Sequence, residues 1–164
     1  MDPVIKYFTG EKNESYLFLG LGILGLAASI YLGFVNGSSF WKGVAIPFTL
    51  VSILEILVGT TLIYRSPKDI HRVQQFMNHE PSLIVTEEIP RMKKVMRNFV
   101  VYRYIELALL LTGILIFLFA DKQTLLNGIG VGLLIQSGMV LLLDYFAEKR
   151  GTVYLEFLNF ISGG

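Results

Sequence analysis

The chain contains no cysteine and little charge. None of its 164 residues is Cys, and only 16% are Asp, Glu, Lys or Arg. The absence of cysteine excludes disulfides, thiolate metal ligands and cysteine nucleophiles. Basic and acidic residues nearly balance, 14 against 13. A chain without an excess of either sign gives no electrostatic reason to expect a nucleic acid as a partner.

Histidine is also scarce, and no catalytic or cofactor-binding motif emerges from the sequence. His71 and His79 are the only histidines, and they lack carboxylates at the spacing that a metal site uses. The run Gly20–Gly25, GLGILG, has the letters of a dinucleotide-binding loop, whose chemistry needs a preceding strand and a helix N-terminus. Here the run lies inside an apolar segment. We therefore predict no metal and no cofactor, and the sequence argues against an enzyme without excluding one.

Apolar residues take the place of the missing charge. They make up 53% of the chain, and the mean hydropathy is +0.58, which is too apolar for a water-soluble domain of this size. Several runs reach about 20 residues, the length at which an α-helix crosses a bilayer. We predict an all-α integral membrane protein, a single domain with four transmembrane helices at about 16–35, 44–64, 99–120 and 125–146.

The distribution of Lys and Arg predicts the orientation of these spans. The connection 65–98 carries seven basic residues, whereas the loops 36–43 and 121–124 carry one each. Because loops on the cytoplasmic side are rich in Lys and Arg, we place this connection and both termini in the cytoplasm. The spans then form two helical hairpins, and we expect them in a bacterial inner (plasma) membrane.

The connection 65–98 also contains signals for helix starts. Ser66 has the character of an N-cap and Pro67 that of a first helical residue. Apolar residues follow at helical spacing, with polar residues between them. The pattern predicts a short amphipathic helix in the cytoplasmic loop between the second and third spans.

A second start signal precedes the third span. Thr86 is expected to cap a helix that continues unbroken over 90–120, roughly 45 Å at the rise of an α-helix. This helix is longer than the bilayer core and should extend into the cytoplasm. Gly151 is expected to end the last helix. The basic residues at the start of the third helix are expected to contact lipid head groups; they are Arg91, Lys93, Lys94 and Arg97.

Small residues recur every fourth position in two of the spans. Gly25, Ser29 and Gly33 lie in the first span, and Gly128 and Gly132 in the fourth. Small side chains at this spacing let helix backbones approach closely in lipid. We predict that these residues pack against another helix, either of this chain or of another subunit.

Charged residues inside the spans are the strongest functional signal. Arg103 and Glu106 share one face of the third span and are close enough to pair, and Glu55 and Asp144 lie in the second and fourth spans. A charge at the centre of a span costs about 2.5–3.5 kcal/mol, so we expect these side chains to converge between helices, with Tyr102 adding a hydrogen bond. Arg103 would then pair with the acids.

Two functions are compatible with such a cluster. In the first, an unmatched carboxyl group binds a proton or a cation, and the chain is an oligomeric transport or conducting protein. In the second, the cluster only fixes the helices, and the protein is an accessory, assembly or immunity-type protein that binds a partner membrane protein. Membrane lipids are expected partners in both cases.

Overall fold

The computed structural model describes residues 3–35 and 37–163. Of the described residues, 93% are helical and none belongs to a strand. The long helices are α1 (Pro3–Ile30), α2 (Ser39–His79), α3 (Ile89–Phe119) and α4 (Leu125–Ile161). Two π-helical turns adjoin them, Tyr31–Val35 after α1 and Ile84–Glu88 before α3. The all-α fold is therefore confirmed.

Each long helix contains a stretch that is apolar and long enough to cross a membrane. This confirms the prediction of four such helices. All of them also extend well beyond the predicted spans. α2 has 41 residues, about 60 Å at 1.5 Å per residue, whereas the hydrocarbon core of a bilayer is about 30 Å thick.

The predicted helix start at Ser66 is wrong. α2 continues through Pro67 without interruption, and the predicted amphipathic helix is its last part. The hydroxyl of Ser66 is buried, 2.8 Å from the Leu62 carbonyl oxygen and 3.1 Å from Glu11 Oε2. Pro67 deprives α2 of one backbone hydrogen bond, but packing of Val73 and Phe76 in a buried core holds the helix together beyond it.

The predicted signals at Thr86 and Gly151 are also wrong. Thr86 lies inside the π-helical turn, and its hydroxyl donates a hydrogen bond to the Ser82 carbonyl oxygen instead of capping a helix. α4 passes through Gly151, where a Cβ atom would lie 2.9 Å from the sulfur of Met96. Glycine is needed here for close contact between α4 and α3, and this packing outweighs its tendency to end a helix.

The long helices pack in a definite order. α1 packs along α2, α2 along α4, and α4 along α3, with a smaller contact between α1 and α4. Glycines permit the closest approaches. A Cβ at Gly128 would overlap the Phe40 carbonyl oxygen, and one at Gly132 would lie 2.9 Å from that of Val44. Both glycines face α2, so α2 and α4 form the centre of the molecule.

A buried apolar core lies at one end of the molecule, outside all the predicted spans. Every long helix contributes to it: Val4, Tyr7, Phe8, Val73, Phe76, Ile84, Ile89, Met92, Tyr154 and Leu158. We call this end the base and define it as 3–15, 65–98 and 147–161. The base has the close-packed apolar centre of a water-soluble helical bundle, whereas the spans expose many large apolar side chains.

Candidate functional site

The charged residues of the third span do not pair as expected. Arg103 forms an ion pair with Glu148 of α4, and within the described residues no salt bridge joins it to Glu55, Glu106 or Asp144. Its side chain is 46% exposed, so it lies at a surface instead of between helices. Sequence reasoning missed Glu148, which follows Asp144 by one helical turn and therefore lies on the same face of α4.

Glu106 and Asp144 form a pair of carboxyl groups. Their side chains approach each other within hydrogen-bonding reach across the α3–α4 contact. Glu106 is only 7% exposed. An ionised carboxylate can only accept hydrogen bonds, so two carboxyl groups at this separation share a proton or need a cation between them.

This carboxyl pair lines a cleft between α3 and α4. The cleft has a volume of about 240 Å³. The Arg103–Glu148 ion pair also lines it. Its remaining lining is apolar and consists of Phe99, Leu107, Leu141 and Tyr145. Since one water occupies about 30 Å³, the cleft holds a few waters or a small hydrated ion. We call it the acid cleft.

The acid cleft has an excess of negative groups. It is lined by one guanidinium and three carboxyl groups, and Glu148 already neutralises Arg103. The Glu106–Asp144 pair therefore has no cationic partner of its own among the described residues. The third acid of the cleft is Glu148 and not Glu55, which the sequence had led us to expect in the cluster.

Glu55 and Tyr102 lie apart from the acid cleft. Glu55 is a buried residue of α2 and is only 4% exposed. Within the described residues, no charged group acts on its carboxyl group. Tyr102 is 49% exposed and lines neither side of the cleft. The structure thus brings together three of the residues that the sequence singled out, Arg103, Glu106 and Asp144.

The small residues singled out in the sequence all lie at or near contacts between helices of this chain. A Cβ at Gly25 would overlap the hydroxyl of Ser52 in α2. Ser29 is buried and donates a hydrogen bond to the Leu26 carbonyl oxygen at 2.8 Å. Gly33 makes only ordinary contact, at 3.6 Å from the Cβ of Ala45.

The four basic residues of the third helix divide into two groups. Arg91 turns inward, where it binds Glu88 through Nε at 2.8 Å and Nη2 at 2.6 Å. Lys93, Lys94 and Arg97 are exposed. Arg91 is therefore committed to a partner inside the base, and only the other three are free to contact lipid head groups.

Glu88 is the centre of an ionic network that sequence reasoning missed. Its side chain is 1% exposed and also accepts hydrogen bonds from Arg72 at 3.2 Å and from the Tyr154 hydroxyl at 3.1 Å. The network continues through Asp69 to Arg65 and to Glu11 of α1. All four helices of the base are tied to it. Glu88 was hidden because it and its acidic neighbour Glu87 suggested a solvated first turn.

Burial governs the ionisation of the base. It raises the pKa of the Tyr154 hydroxyl, and the neighbouring charge of Glu88 raises it further. Burial alone would lower the pKa of Arg91, but the hydrogen bonds and charge of Glu88 outweigh it and raise that pKa. Burial also raises the pKa of Glu11 despite the opposing charge of Arg65. Burial therefore favours the neutral forms of Tyr154 and Glu11, whereas Glu88 favours the charged form of Arg91.

No protein-family model matches the chain, and comparisons with curated proteins and with solved structures find no match. The function is therefore inferred from the geometry of the chain's own residues.

Proposed function

We propose that the chain is an integral membrane protein whose four long helices cross the bilayer as two hairpins. The apolar parts of the helices expose large side chains, such as Phe34 at 86% and Phe119 at 83%. Lipid is the solvent in which such a surface is stable. The base, with exposed Lys93, Lys94 and Arg97, then lies on the cytoplasmic side of a bacterial inner membrane, next to anionic head groups.

We further propose that this protein binds a proton or a small cation at the acid cleft and couples it to transport or conduction. The observation that carries the proposal is the Glu106–Asp144 pair, two adjoining carboxyl groups without a cationic partner inside an apolar region. Two carboxylates cannot both remain charged there without a bound cation between them. A proton or a cation relieves their repulsion, and its release restores it.

The Arg103–Glu148 ion pair has a different role in this proposal. It lies at the more exposed end of the cleft, where it keeps the guanidinium from neutralising the carboxyl pair permanently. Glu148 is also the first residue on this face of α4 after the predicted span. It therefore offers a polar step between the carboxyl pair and the base, through which a proton can reach water.

We also propose that several copies of the chain assemble. α3 makes its main contact with α4 alone, so much of its surface is free for lipid or for another copy. A cleft with one wall open to the outside needs a second surface before it encloses a pathway for an ion.

The proposal is tested by flux across a membrane. The purified protein is reconstituted in liposomes that contain a pH-sensitive dye. It should relax a proton or sodium gradient imposed across the liposome membrane, and Glu106→Gln or Asp144→Asn should abolish this flux. Glu156→Gln, which changes an exposed carboxylate of the base, is the matched control and should keep it. Absence of flux in the native protein, or equal flux in Glu106→Gln, would overturn the proposal.

One observation favours the second candidate function, a protein that binds a partner. The base extends beyond the membrane region, has its own apolar core and presents three exposed cations on one helix. Replacing Lys93, Lys94 and Arg97 together by Gln should then release a stoichiometric partner that copurifies with the native protein. A native protein that is isolated without a partner and supports flux would exclude this function.

A further inference from the structure

Glu55 lies in a second polar site, which the proposed function does not use. Its carboxyl oxygen Oε1 and the hydroxyl of Ser52 have no hydrogen-bond partner within the described residues. Ser52 is fully buried and Glu55 is 4% exposed. The two residues stand three positions apart and therefore share a face of α2.

Unpartnered polar atoms of this kind carry information. A buried polar group without a hydrogen bond costs about 1–3 kcal/mol, and such groups in a native protein need an explanation. Here two of them occur within one turn of a helix. Their proximity indicates that the site is completed by something other than the side chains around it.

Three helices converge at this site. Gly25 of α1 lies so close that a Cβ there would overlap the Ser52 hydroxyl, and the same Cβ would be 3.5 Å from Nε2 of Gln136 in α4. Gln136 is only 3% exposed. The Ser52 hydroxyl and the Gln136 amide thus both lie close to Gly25 in the interior, and Glu55 follows Ser52 by one turn of α2.

No charged group of the neighbouring helices balances Glu55. The predicted span of α1 contains no charged residue, and that of α4 contains only Asp144, which is engaged with Glu106. The titratable Tyr16 of α1 and Tyr31 of the π-helical turn after it are both more than half exposed. Among the described residues no cationic side chain acts on Glu55, so an ionised carboxylate would be buried without compensation.

We propose that Glu55, Ser52 and Gln136 form a proton-binding site separate from the acid cleft. A proton makes the carboxyl group neutral, which removes the cost of the buried charge. It also turns Glu55 from an acceptor alone into a donor, and in this proposal the Ser52 hydroxyl and the Gln136 amide are the groups to which it donates. Gly25 is part of the site because a larger residue would displace Ser52.

Infrared difference spectroscopy of the native protein in lipid bilayers tests this site directly. A protonated carboxyl group has a carbonyl stretch that an ionised one lacks. At neutral pH, the spectrum of the native protein minus that of Glu55→Gln should contain this band. Glu156→Gln, on the exposed face of the base, should show no such difference.

The acid cleft must be separated from the Glu55 site in the same experiment. The double variant Glu106→Gln, Asp144→Asn should retain the Glu55 band, since Glu55 does not line the acid cleft. This result stands whether or not the acid cleft supports flux, so the two proposals can fail independently.

Two results would overturn the proposal. If the native protein and Glu55→Gln give the same carbonyl band at acidic, neutral and basic pH, Glu55 carries no proton. If sodium removes the band at constant pH while potassium does not, the site is a sodium site and not a proton site. Ser52→Ala provides a further check, because loss of the hydroxyl should shift the frequency of the Glu55 band without unfolding the protein.

Discussion

The hydroxyl of Tyr154 should stabilise the base through a single hydrogen bond to a buried carboxylate. It donates to Glu88 Oε1 at 3.1 Å, and its ring stacks on that of Tyr7 with centroids 4.2 Å apart. Tyr154→Phe removes the hydroxyl and keeps the stacked ring. The substitution therefore isolates one hydrogen bond inside the network that ties the four helices together.

The expected magnitude follows from what Glu88 retains. A hydrogen bond to a charged group contributes about 1.5–3 kcal/mol, and Glu88 keeps three bonds from Arg72 and Arg91. We expect the low end, a loss of about 1.5 kcal/mol in the free energy of unfolding. Glu88→Gln removes the charge itself and should cost about 3 kcal/mol, since Arg72 still has Asp69 at 3.1 Å.

Thermal unfolding in detergent, followed by circular dichroism, measures both effects. For a chain of this length each kcal/mol lowers the Tm by about 2–4 °C, so Tyr154→Phe should lower it by about 3–6 °C and Glu88→Gln by about twice as much. Hydrogen exchange should rise in peptides of the base and not in the spans. The control is Tyr64→Phe, whose ring is 74% exposed and which should change stability by less than about 0.5 kcal/mol.

Equal Tm values for Tyr154→Phe and Tyr64→Phe would refute this reasoning. So would a larger loss for Tyr154→Phe than for Glu88→Gln, because the hydroxyl would then matter more than the charge that accepts its hydrogen bond. Equal Tm values would mean that the base is held by its apolar core and that the ionic network is secondary.

Three further predictions concern other parts of the chain. Gly128→Ala should lower the Tm because its Cβ would overlap a carbonyl oxygen of α2. Gly138→Ala, with no atom within 4 Å of the new Cβ, should leave the Tm unchanged or raise it. A lower Tm for Gly138→Ala than for Gly128→Ala would contradict the packing of α4 on α2. Burial raises the pKa of Glu11, so the folded state holds the proton of this carboxyl group more tightly than the unfolded state. Stability should therefore fall as pH rises above 4.5. The plot of Tm against pH should be flatter in Glu11→Gln, and an unchanged slope would count against a role of Glu11. Glu148→Gln should change stability by less than about 1 kcal/mol because Arg103 is nearly half exposed. It should nevertheless shift the pH dependence of the proposed flux, since the guanidinium is then free to act on the carboxyl pair. An unaltered pH profile would mean that the ion pair has no part in the flux.

Composition and hydropathy were sufficient to predict the helices but not where they end. A run of about 20 apolar residues is a strong signal in any context. Ser66 and Gly151, by contrast, are signals of local preference worth about 1 kcal/mol. Burial of Val73, Phe76 and Leu158 in the base outweighs that preference, and no local pattern in the sequence reveals it.

The sequence predicted which charges matter better than it predicted their partners. The cost of a charge in lipid identified Glu106 and Asp144, and helix geometry placed both in the inner half of the spans. It could not show that α3 packs mainly on α4, and this packing decides that Glu55 lies apart. Glu148 was overlooked because it falls two residues after the predicted end of the fourth span, where a charge needs no explanation.

α4 is the one helix that takes part in every polar site of the described chain. In order along its axis it contributes Gln136, Asp144, Glu148, Arg150 and Tyr154. The first and last of these are 18 residues apart, or about 27 Å along a straight helix. α2 carries both Glu55 and the Arg65, Asp69 and Arg72 side chains of the base network, and α3 carries both Glu106 and Arg91. A proton that binds at Glu55 or at the acid cleft can therefore affect the base through the helix that holds it as well as through α4.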